Sequence, residues 1–159
     1  MTCSDEAGSG PLVPLRAAVA ARRYGPGMAT TLRLRFTVSG WEPDEIAAAT
    51  DGWVGAATMR KTYSGGLEGS SVAHFVSSGS EELGRVYTAA ERIEGVLDDG
   101  RRGSFVVYHG ALQAPEDAAS FGWVVPGSGT GDLQDLRGRA TIEHDGSGTV
   151  LVLVLLPTD

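Results

Sequence analysis

Three polar residues in the middle of apolar, alternating segments carry the chemistry that this sequence offers. Lys61 and Glu91 bear opposite charges at neutral pH, and His109 supplies an imidazole, the side chain that changes charge near neutral pH. A carboxylate and an imidazole in contact can orient a polar ligand or exchange a proton with it. We therefore take Lys61, Glu91 and His109 as candidate ligand-binding residues, and Glu91 and His109 also as candidate catalytic residues.

The period-two alternation of strands predicts where these side chains point. His109 shares a strand face with Phe105 and Val107, and Glu91 shares a face with Ile93 and Leu97. If the hairpin between the two segments pairs Leu97 near Phe105, Glu91 and His109 lie on one interior surface, a few ångströms apart. A buried charged carboxylate is costly unless it is paired or hydrogen-bonded, and a Glu91–His109 contact meets that requirement.

Lys61 is a third candidate for the interior, since it shares a face with Met59 and Tyr63. Arg60 is adjacent, so one of the two cations faces solvent, and parity alone does not decide which. Three interpretations of the polar group remain open: a purely structural buried pair, a ligand-binding pocket, and general acid–base catalysis.

Eight strand-like runs position these residues, and tight glycine turns separate them along the chain, which contains 23 glycines. Their spacing predicts an all-β fold, a single antiparallel barrel of about eight strands, since closure removes exposed strand edges. Between the first two runs, Trp41–Asp51 is predicted to be a connection with one or two helical turns. The predicted strands are Thr31–Val38, Val54–Tyr63, Glu68–Ser78, Arg85–Leu97, Ser104–Leu112, Phe121–Val125, Arg139–His144 and Thr149–Leu156.

The stretch Pro126–Gly138 is glycine-rich but does not match a nucleotide-binding loop. Gly-x-Gly-x-x-Gly fails at Asp132, and a phosphate-binding loop would need a lysine that is not present. We predict an irregular corner in which Asp132 caps one helical turn, Leu133–Leu136, whose leucines plug one barrel mouth. The structural residues of this corner are Pro126, Gly127, Gly129, Gly131, Asp132 and Gly138.

Composition excludes several classes of function. A net charge of −7 without a basic run argues against nucleic-acid binding, and no apolar run reaches the length that crosses a membrane. The histidines lack metal-ligand spacing, and no cofactor motif is present, so we expect neither a metal nor a cofactor. The single cysteine, Cys3, excludes an intramolecular disulfide, and we expect a cytoplasmic location.

The first 28 residues differ from the rest and are predicted to be an N-terminal extension, disordered or a short helix, before a barrel domain over 29–157. Met28 is the expected natural start of the domain. The last strand is apolar on both faces, so its outer face needs cover. Either Pro11–Arg23 packs there, or a second subunit does, and we favour a homo-oligomer.

Several segments resemble a family of small bacterial proteins of unknown function whose barrel is related to plant allene oxide cyclase. One of them is WVVPGSGTGDL at Trp123–Leu133, and the block Pro126–Gly138, which overlaps it, is the most specific. The others are Ser39–Glu42, Lys61–Gly65, Leu67–Gly69, Glu91–Arg92 and Gly103–Gly110. The resemblance covers roughly Thr31–Leu156 and implies a fold, an allene-oxide-cyclase-like (calycin-like) barrel, more than an activity. The alanine-rich connection after Trp41 departs from the pattern.

An eight-stranded barrel of this kind holds either packed side chains or one small ligand. We expect a small-molecule-binding barrel whose mostly apolar cavity takes an apolar or amphipathic molecule, with Trp41 and Trp123 as further ligand-binding candidates. The alternatives are an isomerase or cyclase-like enzyme that uses the Glu/His pair, and an oligomeric interaction barrel with a filled interior.

Overall fold

The computed structural model of the chain describes residues 29–46, 52–80 and 82–157. The predicted N-terminal extension, with Cys3, Pro11–Arg23 and Met28, lies outside these residues. Eight strands and one 3₁₀ turn, Gly131–Leu133, make up the fold. The strands are β1 (Thr30–Asp44), β2 (Val54–Tyr63), β3 (Leu67–Ser80), β4 (Gly84–Leu97), β5 (Arg102–Ala114), β6 (Asp117–Val124), β7 (Gly138–Asp145) and β8 (Gly148–Leu155).

Each strand pairs antiparallel with its neighbours in sequence, and β1 also pairs with β8, which closes the sheet into a barrel. The predicted all-β fold with eight strands is confirmed. Alternating residues point inward, as the period-two pattern requires, so each strand contributes one face to the interior. No helix within the described residues is long and apolar enough to cross a membrane.

The first strand is longer than predicted, because its pairing with β2 continues past a β-bulge to Asp44. The pairing of β1 with β2 shifts register between Val38 and Gly40, and Trp41 then lies opposite Met59. A bulge inserts one extra residue and changes which side chains face inward afterwards. The prediction of a connection beginning at Trp41 is therefore wrong as far as Asp44. The remaining helical-turn residues, 47–49, lie outside the described part of the chain.

The two ends of the barrel are built differently. At the closed end, where the turns 64–66 and 98–101 and the segment 125–137 lie, the interior is filled with apolar side chains. Leu34, Ile93, Phe105 and Leu151, from four different strands, are completely buried there. At the open end, where β1, β3, β5 and β7 end, the described residues include no comparable plug.

The glycine corner plugs the closed end, as predicted. Leu133 and Leu136 are buried and belong to the same apolar cluster as the barrel core. Asp132, however, does not cap the turn, which begins after Thr130 and has no side-chain cap. Instead, Asp132 Oδ2 accepts a hydrogen bond from the Arg102 backbone N–H at 3.1 Å. The carboxylate thus ties the corner to β5 rather than to its own turn.

A close contact and a positive φ explain two of the corner's glycines. A Cβ atom at Gly129 would lie 2.0 Å from the Leu133 carbonyl oxygen, far inside van der Waals contact. Gly131 has a φ of 59°, in the left-handed region that glycine adopts without cost. The corner therefore needs glycine at these positions for backbone geometry.

Ion pairs run across the outer face of β8, which the sequence marked as needing cover. Arg33 and Arg35 on β1 reach past β8 to carboxylates on β7. The Arg33–Glu143 distance is 3.0 Å, and the Arg35–Asp145 distances are 2.9 and 3.1 Å. Val150 and Val152, the β8 residues opposite these arginines, are buried. The arginine stems are well placed to shield them, and the homo-oligomer stays a prediction.

The barrel wall has one weak seam, between β6 and β7. In the described chain, these strands pair only where Trp123 lies opposite Arg139 and Val124 opposite Gly138. All other neighbouring strands pair along most of their length. Towards the open end, a cavity of about 220 Å³ therefore lies between β6 and β7, lined by Ala118 and Ser120 on one side and Ile142 and His144 on the other.

Candidate functional site

Glu91, on β4, is the centre of a buried polar cluster at mid-height in the barrel. Its side chain has no solvent-accessible surface. Oε2 accepts hydrogen bonds from Lys61 Nζ at 2.6 Å and from His109 Nε2 at 3.1 Å. Oε1 accepts from the Tyr63 hydroxyl at 2.7 Å and from the Ser71 hydroxyl at 2.5 Å. Four donors thus satisfy both oxygens of one carboxylate, which the cost of burying a charge requires.

Strand register brings these side chains together. Lys61 and Tyr63 share the inner face of β2, and Ser71 lies opposite Lys61 on β3. Glu91 lies opposite Val107 on β5, so His109 is its diagonal neighbour on the same inner face. Burial and strand register therefore resolve the ambiguity that the sequence left: Lys61 is buried and points inward, and Arg60 is exposed and points outward.

The hairpin register on which the contact was predicted is wrong, although Glu91 and His109 do meet. Ile93, and not Leu97, lies opposite Phe105. The β4–β5 turn at Asp98–Arg101 is tight, and β5 begins at Arg102, two residues before the predicted start. The shift of four residues preserves parity, since it is an even number. His109 therefore stays on the face of Glu91 but approaches it from the open end.

The cluster holds Glu91 ionised. Burial by itself raises the pKa of Glu91, but the hydrogen bond from His109, the charge of Lys61 and the hydrogen bonds from Lys61 and Ser71 together lower it to about 2. The pKa values of the nearby tyrosine hydroxyls shift in the opposite direction. Burial, reinforced by the negative charge of Glu91, raises the pKa of Tyr63 and Tyr87. Both tyrosines therefore remain neutral hydroxyls at physiological pH.

We predict that this carboxylate makes the fold acid-sensitive. A group whose pKa falls on folding, here from 4.5 to about 2, stabilises the fold above pH 4.5, and the stabilisation is lost as the pH falls towards 2. The shift corresponds to about 3 kcal/mol. Urea unfolding measured between pH 7 and pH 2.5 should show this loss in wild type.

Glu91→Gln, which cannot titrate, is the control for that measurement. Its stability should fall less steeply than that of wild type across the same range, since every other carboxylate is unchanged. Parallel pH profiles for the two proteins would contradict the assignment of the acid-sensitive group.

The ionised carboxylate also fixes the tautomer of His109. Glu91 Oε2 can only accept, so the His109 Nε2 that faces it at 3.1 Å carries the proton. The other ring nitrogen, Nδ1, is buried and has no hydrogen-bond partner within the described residues. In a neutral imidazole, this nitrogen presents a lone pair.

His109 and Lys61 form the floor of a cavity of about 220 Å³, which we call the inner chamber. Its walls are mostly apolar and include Met59, Phe75 and Ile142. Phe75 stacks on Tyr87 with 4.7 Å between ring centroids, and Tyr87 meets the His109 ring edge-on at 5.9 Å. The chamber is therefore an apolar, partly aromatic space with a polar floor.

A second cavity of about 420 Å³, which we call the outer chamber, lies beside the inner chamber on the side of the open end. The two share Phe75, Tyr87 and Gln113. Trp41 and Trp53 line the outer chamber, and Trp41 meets Phe75 edge-on at 5.3 Å. Aromatic rings thus line the way from the rim to the floor.

The structure brings four of the five ligand-binding candidates to this site. Lys61 and His109 form the floor, Glu91 lies buried beneath it, and Trp41 lies at the rim, 51% exposed. Trp123 does not join them. It lies on the outer face of β6, 47% exposed, with its ring 5.8 Å from that of Phe121. The prediction that Trp123 lines the cavity is therefore wrong. It was made without deciding which residues of that strand face inward.

Sequence reasoning missed two donors to Glu91 and one wall residue. Tyr63 was recognised only as a face-mate of Lys61, although that shared face was itself the signal. The local sequence around Ser71 and around Tyr87 does not indicate their roles at the site, because those roles depend on cross-strand register. His144 lies at the edge of the inner chamber with Nδ1 3.2 Å from the Thr149 hydroxyl.

The fold and the site together define the class of protein: a small β-barrel that contains a cavity. The barrel is closed, antiparallel and eight-stranded, and a buried Lys–Glu–His cluster lies beneath the cavity. The family described as "Protein of unknown function (DUF3224)" matches residues 33–154, so the chain belongs to this family. This confirms the resemblance to a family of unknown function. The fold relation to allene oxide cyclase stays a prediction.

A solved structure supports the same assignment. A DUF3224 family protein of unknown function from Shewanella oneidensis MR-1 has a similar fold, with a TM-score of 0.71 and 26% sequence identity. The match covers 82% of this chain and 98% of the other. No curated protein matches the sequence significantly.

Proposed function

We propose that this protein binds a small, mostly apolar molecule in the inner chamber, with a polar group of that molecule at the floor. The observation that carries the proposal is the His109 imidazole, which Glu91 holds at the base of an apolar cavity while its Nδ1 has no partner among the described residues. Binding pockets typically combine apolar walls with a few fixed polar groups.

The size of the space is consistent with a small ligand. Pockets for drug-sized molecules usually measure roughly 300–1,000 Å³. The inner chamber, at about 220 Å³, is below that range, and the outer chamber, at about 420 Å³, is within it. A molecule smaller than drug-sized suits the inner chamber, and a longer one would extend past Phe75 towards Trp41.

The cost of the cluster also supports a role beyond stability. Replacing a buried ion pair with packed apolar side chains is often neutral or stabilising. The closed end of this barrel is filled in that way, with leucine, isoleucine and phenylalanine. A charged cluster directly below a cavity therefore suggests recognition of a ligand, which an apolar floor would not provide.

A proton-transfer enzyme, isomerase or cyclase-like, is the second candidate. The observation that favours it is the same His109 tautomer, because a carboxylate-oriented imidazole with a free lone pair is suited to act as a general base. This candidate needs turnover in addition to binding. Loss of turnover with retained binding in His109→Gln would favour it over a binding protein.

The cytoplasmic location stays a prediction.

Two adjacent alanines on β4 provide a matched test of the binding proposal. Ala89 is buried and lines the inner chamber, whereas Ala90 is exposed and points outward. Ala89→Leu should fill the chamber, and Ala90→Leu should leave it open. In a thermal-shift screen of small neutral and charged amphiphiles, at about 100 times Kd, a ligand should raise the Tm of wild type and of Ala90→Leu by about 5 °C or more.

Ala89→Leu should show no such shift. The control for its fold is the Tm without ligand and the far-UV spectrum, which should resemble those of Ala90→Leu. If no compound stabilises wild type, or if Ala89→Leu is stabilised as much as wild type, ligand binding in the inner chamber is wrong.

A further inference from the structure

We infer that the ligand of the inner chamber is uncharged and donates a hydrogen bond, as an alcohol or phenol hydroxyl does, to Nδ1 of His109. The inference rests on the proposed function and specifies its ligand class. A carboxylate, the polar group of many apolar metabolites, is excluded by the same geometry.

The floor of the inner chamber carries no net charge available to an anion. Lys61 Nζ lies 2.6 Å from Glu91 Oε2, so the only lysine at the floor already faces a carboxylate. Its ammonium also lies 4.2 Å from the centroid of the Phe36 ring. A second anion at this depth would have to share Lys61 with Glu91, and a buried charge without its own partner is expensive.

Other cationic groups lie too far up the barrel to change this balance. Arg85 lines the outer chamber and does not line the inner one. His144 lies at the chamber edge, where it is exposed to solvent and hydrogen-bonded to Thr149. Among the described residues, the floor therefore consists of one ion pair, one imidazole and neutral hydroxyls.

The imidazole decides which neutral group fits. Because Glu91 Oε2 only accepts, Nε2 of His109 donates, and in the neutral imidazole Nδ1 is left as an acceptor. Nδ1 is buried and has no partner in the described part of the chain. An ether, ester or ketone brings a second acceptor to it, whereas a hydroxyl donates to it.

The walls define the rest of the ligand. Phe75 and Tyr87 are nearly parallel, with 22° between their ring planes, and present an aromatic surface. Met59 and Ile142 complete an apolar lining. A compact hydrocarbon body with a single hydroxyl therefore matches the chamber.

Three compounds of nearly equal size separate these requirements. Cyclohexylmethanol has the hydroxyl donor, cyclohexyl methyl ether has only an acceptor, and cyclohexanecarboxylate is an anion at pH 7. By calorimetry or thermal shift, wild type should bind the alcohol at least about tenfold more tightly than either of the others. Equal binding of the ether, or tighter binding of the carboxylate, would overturn the inference.

His109→Phe tests whether Nδ1 is the acceptor. The variant keeps a ring on the same strand but has no lone pair, so its affinities for the alcohol and the ether should become equal. A preference for the alcohol that survives in His109→Phe would contradict the assignment.

If His109→Phe does not fold, nitrogen NMR of the wild-type imidazole replaces it. The spectrum should show Nε2 protonated and Nδ1 bare, and cyclohexylmethanol should shift the Nδ1 resonance. A protonated Nδ1 in the free protein, or a resonance that the alcohol does not shift, would overturn the inference.

The same compounds distinguish failure of this inference from failure of the proposed function. If none of the three binds but other compounds stabilise wild type and not Ala89→Leu, the hydroxyl inference is wrong and the binding site stands. If no compound of any class stabilises wild type, both are wrong.

Discussion

Glu91→Gln is expected to lower the free energy of unfolding by about 3–5 kcal/mol, the usual cost of removing one partner of a buried ion pair. Glutamine keeps the shape of the side chain but not its charge, so Lys61 loses its counter-ion in a fully buried position. Its amide nitrogen also donates, and it must replace an oxygen that accepts two hydrogen bonds. The Tyr63 and Ser71 hydroxyls can rotate to accommodate it, whereas the Lys61 ammonium can only donate.

Urea unfolding at pH 7 measures this effect, and Glu94→Gln is the matched control. Glu94 lies three residues further along the same strand, on the exposed outer face, so its substitution should change stability by no more than about 0.5 kcal/mol. The double variant Lys61→Met/Glu91→Gln should lose less than the sum of the two single variants, because it leaves no unpaired charge. A loss below about 1 kcal/mol in Glu91→Gln would show that the cluster does not stabilise the fold.

Gly129→Val is expected to destabilise the protein by about 3 kcal/mol or more, at the upper end of the usual cost of overpacking. A Cβ at this position would lie 2.0 Å from the Leu133 oxygen and 2.8 Å from the Gln134 Cα, both backbone atoms. Neither can move as a side-chain rotamer does, so the whole turn must shift. That turn carries Leu133 and Leu136, which close one end of the barrel.

Gly146→Val is the control for that substitution. Gly146 lies in the β7–β8 turn, a Cβ there meets nothing within 4 Å, and its φ is outside the left-handed region. The change in its Tm should therefore be small. If Gly129→Val melts at the same temperature as Gly146→Val, the corner does not need glycine at 129, and the account of the plugged end is wrong.

The strands and their inner faces were predictable because period-two alternation is a local property of the sequence. Phe105, Val107 and His109 alternate with outward-facing residues, and so do Glu91 and Ile93. An error of four residues in the β4–β5 register left this prediction intact, since an even shift changes the contact partner but not the face. The contact of Glu91 with His109 was therefore within reach of the sequence.

Features that depend on several strands at once were not predictable in the same way. Ser71 looks like any small strand residue until β3 is aligned with β2 and β4. Trp41 faces the cavity only because of a bulge at Val38–Gly40, which carries no clear sequence signal. Trp123 was assigned to the cavity by residue type alone, without a face, and it lies on the outer wall.

The seam between β6 and β7 has a consequence for how the barrel moves. A closed barrel releases a bound molecule slowly when the hydrogen bonds between all neighbouring strands must break together. In this barrel, the hydrogen-bonded pairing between β6 and β7 is short. The strands can separate further along this line while the ladders of the other neighbouring pairs stay intact, as a sub-global opening below the free energy of full unfolding. Amide protons along Asp117–Gly122 should then exchange with solvent earlier than those of β4. Separation of β6 from β7 would also give small molecules a route through the barrel wall to the interior.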